Sequence, residues 1–273
     1  MKFSDSHAHY SSKRFDKDRD VLLNKLFAED LEYIIECGTS TFWNKKVIEL
    51  CEKHENVYGV IGYCPVDIND LKGEKTWNLF KEQLTHKKVL GIGEIGLDYH
   101  HSPETRNEQI LYFKRQLDLA YELNLPVCIH SRKAELDTLE VLKEAKNRHG
   151  VIHCYAYGVE TMKELADLGY YFGVGGTCTY EQNTDLREAV KEMPLERIVL
   201  ETDAPYLTPK PLKGRNDSSL IKNVIKEISV LKGVPEETVI NQTNKNLKIL
   251  YPKLDTKKSW DYSRLLILEK ELS

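Results

Sequence analysis

The chain has 273 residues, 41% hydrophobic and 30% charged, the proportions of an ordinary globular protein large enough to bury a sizeable core. Its net charge of −4 and pI near 6.2 exclude a protein that grips nucleic acid by bulk charge alone, so a phosphate substrate would need local arginines or bound cations. The polar first twelve residues and the absence of a long apolar run predict neither a secretory leader nor a membrane span, and the six cysteines show no C-x-x-C pairing, so free thiols and a cytoplasmic location are expected.

Short β-branched runs alternate with longer amphipathic segments along the chain. KFSDSHAH is followed by Val21 to Leu31, and EYIIECG by Phe42 to His54. VYGVIGYCP leads to Trp77 to Leu84. VLGIGEIGLD leads to Asn107 to Leu123, where Ile110, Phe113, Leu117 and Ala120 fall at helical spacing. PVCIHSR precedes Ala134 to Asn147, and GVIHCYA precedes Val159 to Leu168. YYFGVGG precedes Leu186 to Lys191, and RIVLETDAP precedes Leu220 to Leu231. Near-continuous apolar strands, each followed by a helix, indicate a buried parallel sheet. Eight such units predict a single-domain (β/α)8 TIM barrel over residues 1–254. A doubly wound open sheet is the alternative, but DSHAHY lacks the glycine-rich first turn of that fold. Residues 232–254 read as one more helix. The tail 255–273 reads as a separate helical extension, with Leu265, Leu268 and Leu272 on one stripe.

Active sites of such barrels form at the C-terminal ends of the strands. Strand one ends in His7 and His9, which share a face at i and i+2, with Asp5 just before them. Strand four carries Glu94 and Asp98, strand five His130, strand six His153, and strand eight Asp203. HxH alone is weak evidence, and any one of these residues has an ordinary structural explanation. Their shared position at one end of different strands is what points to metal. Four imidazoles and two carboxylates suit Zn²⁺, Mn²⁺ or a related divalent ion, and six ligands exceed what one open catalytic zinc takes. The expectation is therefore two divalent ions per chain, of zinc, manganese or magnesium. His7, His9 and Asp203 would serve one, His130 and His153 the other, and Glu94 would bridge them. Such a pair activates water and stabilises attacking and leaving oxygens.

At DSHAHY, GIGEIGLDYH, RQLDLAYELNLPVCIHSR, VIHCYAYG and LERIVLETDAPYLTP the chain resembles the TatD-like deoxyribonucleases, metal-dependent hydrolases with a TIM barrel. The resemblance runs from Lys2 to about Leu254 and implies hydrolysis of nucleic-acid phosphodiesters, commonly from the 3′ end of single-stranded DNA. It implies the same six ligands, His7, His9, Glu94, His130, His153 and Asp203. The family's G-x-H-P reads GYCP here, with Cys64 in the histidine position. Lys133 stands where the family often has an acid, Ala156 interrupts the stretch after HCY, and Ser218 departs from R-N-E-P, which keeps Arg215 and Asn216.

In the mechanism so expected, Asp203 or Glu94 is the catalytic group that accepts the water proton. Arg132, Arg215 and Asn216 meet phosphate, Tyr99 stacks on a terminal base, and Cys64 lines the substrate. Asp98 would orient a ligand histidine or brace its own turn. A nucleophilic Cys64 is the minor alternative, since a metal-activated water needs no thiol. A small-molecule or aminoacyl-ester or amide hydrolase is the competing activity, and a metal-stabilised binding protein a further one. No obligate protein partner is expected.

Overall fold

The computed structural model describes residues 1–254, so the predicted helical tail at 255–273 lies outside the described residues. Strands and helices alternate as β1 Phe3–Ala8, α1 Arg19–Ala28, β2 Leu31–Cys37, α2 Thr41–Lys53, β3 Val57–Ile61 and α3 Glu74–Leu84. They continue as β4 Val89–Asp98, α4 Arg106–Glu122, β5 Val127–Arg132, α5 Glu135–Glu144, β6 Gly150–Ile152 and α6 Val159–Asp167. The last are β7 Tyr171–Val174, α7 Thr184–Glu192, β8 Ile198–Leu200, α8 Ile221–Lys232 and α9 Glu236–Leu250. One eight-stranded sheet holds the strands in the order β1 to β8, and the registers of β1–β2, β3–β4, β4–β5 and β7–β8 are parallel. Ala8 at the end of β1 bridges Ala204 after β8. Sequential parallel order with the first strand meeting the last is the (β/α)8 barrel; a doubly wound sheet would break that order. No helix among the described residues is long and apolar enough to cross a membrane.

Several boundaries differ from the sequence reading, among them β1, which ends at Ala8 before His9, and β8, which ends at Leu200 before Asp203. Leu31 opens β2 instead of ending α1, because Asp30 O takes the Phe3 N–H and starts the strand pairing. Strand β6 stops at Ile152, so His153 stands just beyond it. Residues 232–254 are not one helix: Gly233 ends α8 in the left-handed region at φ 63°, α9 follows, and Pro252–Leu254 form a 3-10 turn.

The chain divides into two compact units. The first takes in Met1–Glu36 and Ile152–Ile249, and every residue of β1, polar ones included, is buried in it. The second takes in Cys37–Val151 and, of the later described residues, Leu250–Leu254, and β4 is buried along its whole length there. In this second unit α4 buries Gln109, Phe113, Gln116, Leu117 and Ala120, one helical face with two amides in it. Gln116 accepts from Tyr63 N at 2.9 Å and donates to Tyr63 O at 3.1 Å, so it clamps the loop after β3. Gln109 accepts from Asp98 N at 2.8 Å and donates to Ser102 O at 2.7 Å, so it clamps the turn after β4. The sequence periodicity placed Ile110 on this face. Gln109 occupies it because two loop backbones there need partners, and Ile110 is half-buried.

Candidate metal centre

In the first unit, the end of β1 and the segment after β8 hold each other in register. Asp203 N donates to His7 O at 3.0 Å and His9 N to Ala204 O at 2.7 Å. Asp203 has a φ of 57°, a conformation an aspartate tolerates better than most residues, and it turns the carboxylate toward the histidines. His7 Nε2 and His9 Nε2 stand 3.1 Å apart. Asp203 Oδ1 is 3.6 Å from His7 Nε2 and 3.3 Å from His9 Nε2. The His153 ring stacks on His7, centroids 3.9 Å apart, and His7, His153 and Asp203 each place a donor atom within 4.8 Å of the others.

This arrangement fits a cation. With each imidazole in the tautomer that leaves Nε2 unprotonated, three lone-pair atoms converge on one point, an arrangement that a cation among them stabilises. Ligands at about 2.0–2.1 Å from an ion lie roughly 2.8–3.4 Å from one another, octahedral to tetrahedral; the 3.1 and 3.3 Å separations fall in that range and the 3.6 Å one lies just beyond it.

Buried carboxylates support the ligands from behind. Asp5 Oδ1 accepts from His7 N at 3.2 Å and Thr202 N at 3.1 Å. Its Oδ2 accepts from the Thr202 and Ser218 hydroxyls, both at 2.6 Å. Tyr10 OH joins Ser218 Oγ at 2.8 Å and completes the network. Burial pushes the Asp5 carboxyl up to about 7 against these donors. Glu36 accepts from Tyr10 N at 2.8 Å and Ser11 N at 2.7 Å, bracing the backbone after His9. Glu201 accepts from Cys154 N at 2.6 Å and lies 3.8 Å from His153 Nδ1, near enough for charge attraction but beyond hydrogen-bond reach. Burial raises both glutamates, and His9 and His153 oppose it. Gly173 makes room for Glu201: a Cβ there would lie 1.9 Å from Glu201 Oε2.

In the second unit, His130 Nδ1 is 2.8 Å from Glu94 Oε1 and His130 Nε2 is 3.0 Å from Asp98 Oδ2. With the Nε2 proton given to Asp98, the Nδ1 lone pair faces a carboxylate oxygen, again a geometry that a cation or a proton relieves. Burial works to raise Asp98, but hydrogen bonds from His130 and His101 hold it well below the usual carboxylate range. Asp98 thus takes the orienting role rather than only bracing its turn. Gly96, at φ 139°, lets β4 pass His130, since a Cβ would lie 1.9 Å from His130 O.

The remaining sequence candidates are placed as follows. Arg132, exposed at the end of β5, lies close enough to His100 to hold that imidazole below its usual value. Tyr99 is tethered through its hydroxyl, which donates to Asp137 at 2.6 Å, and Arg106 clamps the same carboxylate. Cys64 is only 6% exposed, and burial with the nearby Glu94 and Asp67 carboxylates raises its thiol well above the usual range. It is a poor nucleophile for that reason. Arg215 is bidentate to Asp18 at 2.8 and 2.6 Å, so its charge is already matched. Asn216 is fully buried and donates to Thr202 O and Tyr206 O, a bracing role. Ser218, a departure from R-N-E-P, belongs to the Asp5 network. Sequence reasoning assigned nothing to Glu36 or Glu201 and gave Asp5 no role, although Asp5 and Glu201 lie two residues before His7 and Asp203.

Comparison with known proteins agrees with this chemistry. The family model described as TatD related DNase matches residues 4–252. A Bacillus subtilis protein named uncharacterized metal-dependent hydrolase YabD is 36% identical over 251 residues, 90% of this chain and 98% of that protein. A Citrobacter koseri protein named 3′-5′ ssDNA/RNA exonuclease TatD is 29% identical over 255 residues, with the same 90% and 98% coverage. Among solved structures, the Escherichia coli K12 TatD homolog YJJV aligns at a TM-score of 0.83 and 27% identity, covering 92% of this chain and 98% of its own. With both the donor sets and the family match in hand, the chain belongs to the TatD-related DNase family of metal-dependent hydrolases.

Proposed function

We propose that this protein is a divalent-metal-dependent deoxyribonuclease that removes nucleotides from the 3′ end of single-stranded nucleic acid. The observation that carries the reading is the convergence of His7 Nε2, His9 Nε2 and Asp203 Oδ1 within 3.1–3.6 Å of one another. His7, His9 and Asp203, with His153 stacked on His7, would hold one ion; Glu94 and His130 would contribute a second donor pair, which supports the reading of two ions per chain. When bound, such ions supply Lewis acidity toward a phosphoryl oxygen and acidify water.

The chain's own groups do the rest. Asp203 turns Oδ1 toward the imidazoles, and its other oxygen accepts the proton of the attacking water. Glu94 is the alternative acceptor. Asp98 orients His130 through a 3.0 Å hydrogen bond, and Glu201 places a buried carboxylate 3.8 Å from His153. Arg132 is the exposed cation that meets substrate phosphate. The relative named as a 3′-5′ ssDNA/RNA exonuclease supports the substrate class.

The test is metal-free protein, given Mg²⁺, Mn²⁺ or Zn²⁺ separately, on single-stranded DNA labelled at its 5′ end. A metal-dependent ladder shortened from the 3′ end, absent in Glu94→Ala, is expected. Metal uptake without cleavage would redirect the reading to the competing one, a carboxylic ester or amide substrate on the same donor groups.

A further inference from the structure

Tyr206 is a large aromatic left 48% exposed, yet it is not a loose surface side chain. Its N–H donates to Asp203 O at 2.8 Å and its carbonyl accepts from Asn216 Nδ2 at 2.7 Å, so both backbone polar groups are fixed. Its ring approaches His9 edge-on, with centroids 6.4 Å apart and planes at 65°. The Arg14 guanidinium lies 5.6 Å from the ring centroid.

Arg14 is itself exposed and is held by its backbone. Its N–H donates to Ser12 Oγ at 3.3 Å, and its carbonyl accepts from Arg215 Nη1 at 2.9 Å. Arg215 is anchored in turn by Asp18 and lies 4.5 Å over the buried Phe15 ring. The charge of Arg215 is matched by Asp18, whereas no carboxylate among the described residues pairs with Arg14. Of the two arginines on this face of the first unit, Arg14 is therefore the one with charge to offer a phosphate.

We propose that Tyr206 and Arg14 form the platform for the terminal nucleotide of a single strand, Tyr206 stacking on the base and Arg14 contacting the adjoining phosphate. This rests on the nuclease reading above and reassigns the stacking role from Tyr99, whose hydroxyl is committed to Asp137. The placement suits the chemistry. Tyr206 stands beside His9, 6.4 Å between ring centroids, within the span of one nucleotide from the His7, His9 and Asp203 donors. A π-face accepts any base, so the platform gives end binding without sequence choice. Arg215 is a positioning residue for Arg14.

The experiment uses the full chain loaded with Mn²⁺ and two single-stranded oligodeoxynucleotides, one ending in 2-aminopurine and one in an abasic tetrahydrofuran residue. Stopped-flow fluorescence reads stacking before cleavage, and steady-state assays give KM and kcat for each. In the wild type, binding quenches the fluorophore and KM for the abasic end is about 5- to 100-fold higher. Tyr206→Leu loses the quench and brings the two KM values together, while Tyr206→Trp keeps both signatures. Arg14→Gln raises KM for both substrates alike and flattens its salt dependence. If the wild type cleaves both oligonucleotides and Tyr206→Leu keeps quench and KM ratio, the platform is wrong and the nuclease reading stands. If the wild type neither quenches nor cleaves, the nuclease reading fails and takes the platform with it.

Discussion

Removing the Asp5 carboxylate should separate the scaffold of the donor set from its chemistry. In Asp5→Ala four donors lose their acceptor: the N–H groups of His7 and Thr202 and the hydroxyls of Thr202 and Ser218. The hydroxyls can rotate, and Ser218 already has Tyr10 OH within 2.8 Å. The two N–H groups are fixed by the backbone and stay stranded, at about 1–3 kcal/mol each, or roughly 2–6 kcal/mol together. Relief of a carboxylate that burial disfavours offsets part of this, leaving a net loss of about 2–4 kcal/mol. For a chain of this size that is a fall in Tm of roughly 5–15 °C. The assay is urea unfolding of metal-free protein, with a lowered midpoint and unchanged slope expected. Asp5→Asn, which keeps an acceptor for the two N–H groups, should stay within about 1 kcal/mol of wild type. An Asp5→Ala midpoint matching wild type would refute the claim that this network holds the ligands in place.

Gly173→Ala forces Glu201 away from the Cys154 N–H and displaces the carboxylate beside His153; it should destabilise by about 1–3 kcal/mol in a urea melt and weaken metal binding in a chelator competition. Burial holds Lys253 down at about 8, against an ordinary 10.5, with its ammonium on Val89 O. Below about pH 8 both states carry the charge and its burial cost is complete; between 8 and 10.5 the unfolded chain binds more protons, so stability rises with pH by up to about 3 kcal/mol. Lys253→Met should flatten that rise in a pH series of urea melts, and equal slopes would contradict the assignment. In native protein Cys64 should react with iodoacetamide at least about tenfold slower than free cysteine, with the half-exposed Cys154 labelled first, as peptide mass spectrometry would read.

The fold was legible in the sequence because a buried parallel strand followed by a helix leaves a local mark, and it does so eight times here. The proposed metal donors are legible for a related reason: polar residues at the ends of several apolar strands, such as His7 after KFSDS and Asp203 after RIVLET, share one position in the strand–helix repeat. What could not be read was partnership across the chain. Arg215 reads as a free phosphate ligand until Asp18, 197 residues away, is seen to hold it. Asp5 and Thr202 are equally remote in sequence, so the cradle beneath His7 left no trace there. Gln109 and Gln116 were hidden because an amide that clamps a loop backbone looks, in a hydropathy pattern, like a solvent-facing residue. Tyr206 carries no signal within DAPYLTP because stacking depends on exposure beside His9, a property of the folded chain.

The central claim, that His7, His9 and Asp203 hold an ion on which hydrolysis depends, is tested most directly by titrating Mn²⁺ into metal-free wild type and Asp203→Asn. Bound metal and shortening of 5′-labelled single-stranded DNA are read on the same samples. The account predicts that wild-type cleavage rises with occupancy up to two ions, and that Asp203→Asn loses metal affinity and cleavage together, each by about 100-fold or more. An Asp203→Asn protein that fills with metal as wild type does and still cleaves at the wild-type rate would contradict it.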